Sequence, residues 1–203
     1  MKLRGLYALT PDLADRRRLP DLVGRALEGG IAALQYRCKT LSSSERLAEA
    51  AALAALCRAK GVPLIVNDDP GIALAADADG VHLGREDGDP AQARARIGAK
   101  LLGVSCYDSL EAARAAVSAG ADYVAFGSVF SSPTKPAAVR APLALFGQAR
   151  ALGVPLVAIG GITLENAPQL LAAGADALAV ISDLFDAPDI AARARAYGKL
   201  FAP

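Results

Sequence analysis

A regular alternation of short apolar runs with longer alanine-, leucine- and arginine-rich stretches constrains the fold of this chain most. The apolar runs predict eight strands, at residues 5–10, 32–37, 63–68, 80–83, 101–106, 123–127, 155–160 and 177–182. The stretches between them carry apolar residues at i, i+3 and i+4 spacing, which is typical of helices packed on one face. Strands that alternate with helices favour right-handed βαβ units and one parallel sheet.

The joints between the predicted elements repeat as well. The segments Ala119–Asp122 and Ala173–Asp176 both read Ala-Gly-Ala-Asp and precede the sixth and eighth runs. Each places a glycine where a helix ends. Eight units of about 25 residues predict an α/β fold, a compact single-domain (β/α)₈ TIM barrel over residues 1–203. An open doubly wound sheet is disfavoured because no Gly-x-Gly-x-x-Gly follows the first run.

The composition excludes several classes of partner. With 53% hydrophobic and 21% charged residues, the chain can bury a large core. A net charge of +1 gives no attraction to nucleic acid or to an anionic membrane. No apolar run reaches the roughly 20 residues of a spanning helix, and residues 1–20 lack the apolar core of a signal peptide. We therefore expect a cytoplasmic protein that binds small molecules, with assembly into a homo-oligomer left open.

Polar side chains collect where the predicted strands end, which is the active-site face of a TIM barrel. The second strand runs into Gln-Tyr-Arg-Cys-Lys at residues 35–39. Because side chains alternate along a strand, Gln35, Arg37 and Lys39 share one face. Tyr36 and Cys38 share the other. Two cations spaced in this way suit a polyanion such as a diphosphate, and the alternative is a solvated strand end.

Two carboxylates follow neighbouring strands, Asp68 after the third and Asp87 after the fourth. Two carboxylates about 5 Å apart repel by about 3 kcal/mol at an effective dielectric of about 20. A proton or a cation must relieve that repulsion, and hard oxygen ligands beside Arg and Lys favour Mg²⁺. The alternative is one helix-capping and one surface aspartate. Asp69 is the predicted N-cap of a helix that begins at Pro70.

A second anion site is predicted where the seventh and eighth strands end. The residues there are Gly160, Gly161, Ile181 and Ser182. Backbone N–H groups at this corner bind phosphate in many TIM barrels, and the alternative is a plain strand-to-helix turn. The long loop at 128–141 adds hydroxyl and ammonium donors from Ser132, Thr134 and Lys135. The single histidine, His82, is either a satisfied side chain lining the mouth or a general acid or substrate contact.

The residue types therefore indicate two anion sites at one barrel mouth, one for a diphosphate with Mg²⁺ and one for a monophosphate. No Ser-His-Asp triad or pair of glycosidase carboxylates stands out. Departure of a diphosphate with help from a metal and cations is electrostatic catalysis and needs no protein nucleophile.

Seven segments at the strand ends carry a family resemblance: Gln35–Lys39, Leu64–Asp69, Asp79–Asp87, Gly103–Ser105, Gly127–Pro136, Ala158–Ile162 and Ala179–Ser182. In this order and at these spacings, the chain resembles thiamine-phosphate synthases over nearly its whole length. The resemblance implies an Mg²⁺-dependent transferase that joins 4-amino-2-methyl-5-hydroxymethylpyrimidine diphosphate to 4-methyl-5-(2-phosphoethyl)thiazole. The implied products are thiamine monophosphate and pyrophosphate, and the implied mechanism is dissociative, with pyrophosphate leaving before the thiazole nitrogen attacks.

The resemblance also implies site residues. The pyrimidine diphosphate site comprises Gln35, Tyr36, Arg37, Cys38, Lys39, Asn67, Ser105 and Lys135. Within it, the candidate catalytic residues are Arg37, Lys39, Ser105 and Lys135. The metal ligands are Asp68 and Asp87. The thiazole phosphate site comprises Ser132, Pro133, Thr134, Gly161, Ile181 and Ser182.

Some residues depart from the family pattern, and other functions stay open. Arg85 stands where many members have Gln, Ser128 where many have Pro, and Tyr107 where others often carry His. One alternative is a thiazole tautomerase of the same superfamily, which needs an acid or base where Tyr107 stands. A second is a non-catalytic phosphate-ligand sensor. A third, a sugar-phosphate isomerase or aldolase barrel, requires a Schiff-base lysine or an acid/base pair, for which only Lys39 and Lys135 are candidates.

Overall fold

Eight parallel strands in chain order close into a barrel in the computed structural model, which describes residues 3–131 and 140–202. The strands are β1 (Gly5–Leu9), β2 (Ala33–Tyr36), β3 (Leu64–Asn67), β4 (Gly80–Leu83), β5 (Leu101–Tyr107), β6 (Tyr123–Phe126), β7 (Leu156–Ile159) and β8 (Ala177–Val180). Strand β1 pairs with both β2 and β8, which closes the sheet. The predicted TIM barrel and its eight strands are confirmed, with bounds that differ by a few residues.

Helices cover the outside of the barrel. They are α1 (Leu19–Gly29), α2 (Ser43–Ala59), α3 (Pro70–Ala75), α4 (Pro90–Ile97), α5 (Leu110–Ser118), α6 (Ala144–Ala149), α7 (Ala167–Ala173), α8 (Ser182–Phe185) and α9 (Ile190–Lys199). The predicted N-cap is confirmed, because Asp69 accepts a hydrogen bond from the backbone N–H of Ile72 at 3.0 Å. Within the described ranges, no helix has the length and apolar character needed to cross a membrane.

Side-chain alternation along the strands divides the core into two layers. Outward-facing residues such as Leu34, Leu64 and Leu102 pack against the helices and form the larger layer. Inward-facing residues fill the barrel itself and include Tyr7, Leu9, Ile65, Tyr123 and Val157. The barrel is therefore a packed core whose inward-facing residues end in polar side chains at the carboxyl-terminal mouth.

Carboxylates tie pairs of strands together at the amino-terminal face of the barrel. An aspartate directly before β4, β6 and β8 accepts a hydrogen bond from a backbone N–H near the start of the preceding strand. The pairs are Asp79 with Leu64 at 2.8 Å, Asp122 with Leu102 at 2.7 Å and Asp176 with Leu156 at 2.9 Å. The backbone N–H of each aspartate donates back to the carbonyl of the same leucine. Before β2, Ala32 takes this place and makes only the backbone bond, to Leu6.

Candidate active site

The end of β2 divides its side chains between the mouth of the barrel and the helical layer. Gln35 lies inside the barrel, where its Nε2 donates to the hydroxyl of Tyr7 at 2.9 Å. Tyr36 faces outward and donates from its hydroxyl to Glu49 of α2 at 2.8 Å. Cys38 is buried in the same outer layer. The predicted alternation is confirmed, and the structure does not bring the Tyr36 and Cys38 side chains to the mouth with the other site residues.

Arg37 and Lys39 supply positive charge at the mouth. The Thr10 hydroxyl fixes the backbone of Arg37, accepting from its N–H at 2.9 Å and donating to its carbonyl at 3.0 Å. The guanidinium donates to Asp12 at 3.1 Å, and a guanidinium carries five N–H donors in all. Lys39 is exposed. The positive charges of both side chains lower the pKa of the Asp68 carboxyl, against the larger effects that raise it, so both cations act at the position of Asp68.

Asp68 and Asp87 meet at the mouth, as adjacent strand ends predict. The backbone N–H of Asp68 donates to the carbonyl of His82 at 2.8 Å. One Asp87 oxygen accepts from the backbone N–H of Gly84 at 2.7 Å. Burial raises the pKa of Asp68, and so do the hydrogen bond and the negative charge of Asp87. The Asp68 carboxyl therefore holds a proton more readily than an ordinary aspartate unless a cation lies beside it.

The donor set at this position fits Mg²⁺. It offers hard carboxylate oxygens from two aspartates beside the positive side chains of Arg37 and Lys39. Among the described residues, no cluster of three or more His, Cys, Asp or Glu side chains could hold a metal ion. Mg²⁺ is commonly held by one or two carboxylates together with substrate phosphates and water, so two protein carboxylates are sufficient.

The second predicted anion site has a backbone shaped by its glycines. Gly160 and Gly161 have φ angles of 108° and 63°, which favour glycine, and follow β7 directly. The loop after β6 runs beside them, since Phe130 N–H donates to the Gly160 carbonyl at 3.0 Å. Ile181 packs against the barrel interior, and Ser182 begins α8. The remaining predicted members of the two sites, Ser132, Pro133, Thr134 and Lys135, lie outside the described residues.

The three departures from the family pattern lie around the mouth. The Arg85 guanidinium stacks over the ring of Tyr107 at 4.6 Å from its centroid, and the backbone N–H of Arg85 donates to the Tyr107 hydroxyl at 3.3 Å. Two of the departures therefore contact each other. The third, Ser128, donates from its hydroxyl to the carbonyl of Phe130 at 2.7 Å and so supports the loop beside Gly160.

A buried set of hydrogen bonds behind the mouth was not predicted from the sequence. His82 Nε2 lies 2.8 Å from the Ser105 hydroxyl, and its Nδ1 lies 3.0 Å from the hydroxyl of Tyr123. Tyr123 in turn lies 2.8 Å from the hydroxyl of Tyr7. Burial lowers the pKa of His82 to about 4, so its imidazole is neutral near pH 7. Of the two interpretations of His82, the structure agrees with a satisfied side chain near the mouth.

Known proteins are similar to this chain in both sequence and fold. A family model described as thiamine monophosphate synthase matches residues 6–184. The thiamine-phosphate synthase of Aromatoleum aromaticum is 60% identical over 202 residues, which are 98% of this chain and 97% of that protein. The thiamine-phosphate synthase of Methylobacillus flagellatus is 56% identical, covering 98% and 96%. The solved thiamine phosphate pyrophosphorylase of Pyrococcus furiosus, 36% identical, superposes with a TM-score of 0.86 and covers 98% and 96%.

Proposed function

Since the chain belongs to the thiamine monophosphate synthase family and is therefore a transferase of thiamine biosynthesis, we propose which reaction its barrel mouth performs. It joins 4-amino-2-methyl-5-hydroxymethylpyrimidine diphosphate to 4-methyl-5-(2-phosphoethyl)thiazole, giving thiamine monophosphate and pyrophosphate. Residues 1–203 act as a single catalytic domain. The observation that carries the proposal is the Asp68 and Asp87 pair at the mouth, flanked by the charges of Arg37 and Lys39.

The diphosphate binds where these charges converge. Thr10 fixes the backbone of Arg37, and Asp12 accepts a hydrogen bond from its guanidinium, so the guanidinium is placed at the mouth before the ligand arrives. A fork of N–H donors suits two phosphate oxygens at once, while the ammonium groups of Lys39 and Lys135 act as point charges. Asn67, at the end of β3, adds an amide at the same edge. Asp68 and Asp87 hold Mg²⁺, which supplies charge neutralisation for the departing pyrophosphate.

The thiazole phosphate binds at the second anion site. Backbone N–H groups at Gly161, Ile181 and Ser182, with donors from Ser132 and Thr134 and packing by Pro133, suit a monophosphate. Both phosphates are then anchored at one mouth, and the two rings between them are brought into reacting distance. Such positioning converts a reaction between two molecules into one within a single complex.

Bond breaking precedes bond making. The bond between the methylene carbon and the diphosphate oxygen breaks, and its electron pair leaves with pyrophosphate. Arg37, Lys39 and Lys135 stabilise the charge that develops on the leaving group. The aminopyrimidine donates electrons to the methylene cation, and the lone pair of the thiazole nitrogen then forms the new bond. Gln35 and Ser105 hold the pyrimidine ring, and no side chain of the protein forms a covalent bond.

A turnover assay tests the proposal. The purified protein receives both substrates with Mg²⁺, and thiamine monophosphate and pyrophosphate are followed with and without EDTA. We expect equimolar products that vanish with EDTA. Asp87→Asn lowers kcat/KM by about 100-fold or more because it removes a ligand for the cation. Glu86→Gln is the matched control, since it removes the same charge at the neighbouring exposed position and leaves turnover within about threefold.

Other outcomes would favour other functions. Absence of product while the thiazole phosphate still binds would point to a thiazole tautomerase or a phosphate-ligand sensor. If product forms equally well with EDTA and in Asp87→Asn, the proposed metal site is wrong, whereas the proposed reaction is supported.

A further inference from the structure

Two consecutive glycines, Gly160 and Gly161, form the turn at the second anion site. Their φ angles of 108° and 63° lie in the region that favours glycine. A Cβ on Gly161 would lie 2.9 Å from the Cβ of Phe130, so the loop after β6 leaves no room for a side chain there. Because glycine lacks a Cβ that would restrict its torsion angles, hydrogen bonds must set the direction of the peptide groups in this turn.

The side chain of Asn166 makes one of these hydrogen bonds. Its Nδ2 donates to the carbonyl of Gly161 at 2.9 Å, and its Oδ1 accepts from the backbone N–H of Thr163 at 2.9 Å. A carbonyl can only accept and a backbone N–H can only donate, so the amide of Asn166 has a single orientation. The carbonyl of the peptide group between Gly161 and Ile162 therefore points toward Asn166.

The start of α7 holds Asn166 in place. Its backbone N–H donates to the Thr163 hydroxyl at 3.4 Å, and the N–H of Ala167 donates to the Thr163 carbonyl at 2.9 Å. Ala167 is the first residue of α7 and is fully buried. The amide of Asn166 is thus anchored to a buried part of the fold.

The peptide group on the other side of Gly161 is held as well. The Gly160 carbonyl accepts from the N–H of Phe130, in the loop after β6, at 3.0 Å. The C=O and N–H of one trans peptide group point in opposite directions. Strand β7 lies between β6 and β8, so the N–H of Gly161 is turned away from the β6 loop and toward the end of β8. Ile181 and Ser182, the other backbone members of the second anion site, follow β8 directly.

Both carbonyls of this turn therefore have partners within the protein. Among the residues that the structure describes, the N–H groups of Gly161 and Ile162 have none. We propose that Asn166 is a positioning residue that keeps the Gly161 carbonyl turned away from the thiazole phosphate, so that the turn presents N–H groups to this anion. The inference rests on the proposed function, which places the phosphate at Gly161.

The charge of the phosphate makes the direction of this carbonyl important. A phosphate monoester is largely a dianion near pH 7, so its oxygens accept hydrogen bonds and are repelled by a carbonyl oxygen. The hydroxyl of the corresponding alcohol is neutral and can either donate or accept. A Gly161 carbonyl that turns into the site therefore weakens binding of the thiazole phosphate much more than binding of the thiazole alcohol.

Calorimetry tests the proposal by comparing the dissociation constants of the thiazole phosphate and the thiazole alcohol, the latter measured by displacement of the former. Asn166→Ala removes the donor that holds the Gly161 carbonyl. We expect the ratio of the two dissociation constants, alcohol over phosphate, to fall by about tenfold in this variant. In turnover, KM for the thiazole phosphate rises by a similar factor, whereas KM for the pyrimidine diphosphate stays at the wild-type value.

Thr163→Ala is the matched control. It removes the hydroxyl that accepts from the N–H of Asn166 and keeps both hydrogen bonds of the Asn166 amide, because the partner at Thr163 is a backbone N–H. We expect its ratio of dissociation constants to stay at the wild-type value. Thermal unfolding shows which variants are folded.

Asn166→Asp carries the comparison if Asn166→Ala is not folded. Its carboxylate still accepts from the Thr163 N–H but has no hydrogen to donate to the Gly161 carbonyl. Gln169→Glu controls for the added negative charge, since Gln169 is exposed three residues further along the chain. We expect the ratio to fall in Asn166→Asp well below its value in Gln169→Glu.

Two failures can be told apart. If the Asn166 variant weakens binding of phosphate and alcohol by the same factor, or if its control lowers the ratio as much, the inference is overturned. Turnover by the wild-type protein then still supports the proposed function. If the wild-type protein binds the phosphate no more tightly than the alcohol, the second anion site is wrong, and the proposed function fails together with the inference.

Discussion

Replacing Gly103 with alanine tests whether the barrel interior is built around the ring of Tyr123. Gly103 pairs with His82 on one side and with Tyr123 on the other. A Cβ at this position would overlap the Cζ and hydroxyl of Tyr123 and lie 2.5 Å from its Cε2. The ring has no room to retreat, because Tyr7 and His82 contact its other sides. The added methyl group must therefore displace it.

The magnitude follows from two costs. Overpacking a core costs about 1–3 kcal/mol in free energy of unfolding. Displacing the Tyr123 hydroxyl also breaks its bonds to Tyr7 and His82, and buried polar groups left unpaired cost about 1–3 kcal/mol. We expect Gly103→Ala to lower the free energy of unfolding by about 2–6 kcal/mol, the sum of the two costs. In a chain of this size, each kcal/mol lowers Tm by roughly 2–4 °C.

Urea unfolding measures the change, and two further variants decide its cause. Gly24→Ala in α1 is the control, because a Cβ there meets nothing within 4 Å and should stabilise the helix by about 0.5–1 kcal/mol. In a Tyr123→Leu background the clashing ring atoms are gone, so Gly103→Ala should cost little. The reasoning is refuted if Gly103→Ala costs less than about 1 kcal/mol or costs the same in both backgrounds.

Two further predictions concern pH and the amino-terminal face. The pKa of His82 falls from its ordinary 6.5 to about 4 on folding, so the unfolded chain binds the proton first and stability declines as pH falls between these values. The free energy of unfolding falls by roughly 3 kcal/mol over this range. Urea unfolding at several pH values measures the fall, and a His82→Gln variant should not show it. A His82 imidazole that titrates near 6.5 in the folded protein would contradict the prediction. Asp176→Ala leaves the buried N–H of Leu156 unpaired and costs about 1–3 kcal/mol without changing kcat. The control is Glu28→Ala, at an exposed acid of α1, and a fall in kcat in Asp176→Ala would refute the separation of the two faces.

The sequence predicts the strands and their ends well because that information is local. Alternating apolar runs set each strand, and the residue after a run must lie at the mouth of the barrel whichever helix follows. The meeting of Asp68 and Asp87 is predicted for the same reason, since they end adjacent strands. Arg85 follows β4 and Tyr107 ends β5. The stacking of the Arg85 guanidinium on the Tyr107 ring depends on the directions in which the two side chains extend beyond their strands, which the hydrophobic periodicity does not give.

The hydrogen bonds that join Tyr7, Tyr123 and His82 inside the barrel lie beyond such reasoning. Alternation predicts that Tyr7 and Tyr123 point inward, yet their hydroxyls meet across 116 positions of sequence. How deep each hydroxyl lies along the barrel axis depends on the stagger of the strands, which is a property of the whole sheet. The hydrogen bond between Asp122 and Leu102 is not predictable from the sequence for a similar reason. The joint Ala119–Asp122 is recognisable as a helix end, whereas this hydrogen bond forms only when β5 and β6 lie side by side.

Closure of the barrel also constrains how the protein reaches its fold. Gly5 of β1 pairs with Ala177 of β8, so this seam joins segments that are far apart along the chain. Until β8 is available, β1 presents an unpaired and largely apolar edge, Gly-Leu-Tyr-Ala-Leu, which is the kind of edge that associates with other chains. During synthesis, one edge of β1 therefore stays unpaired until β8 has been made, when the rest of the barrel is nearly complete. Molecular chaperones that cover that edge would raise the yield of folded protein without changing the stability of the product.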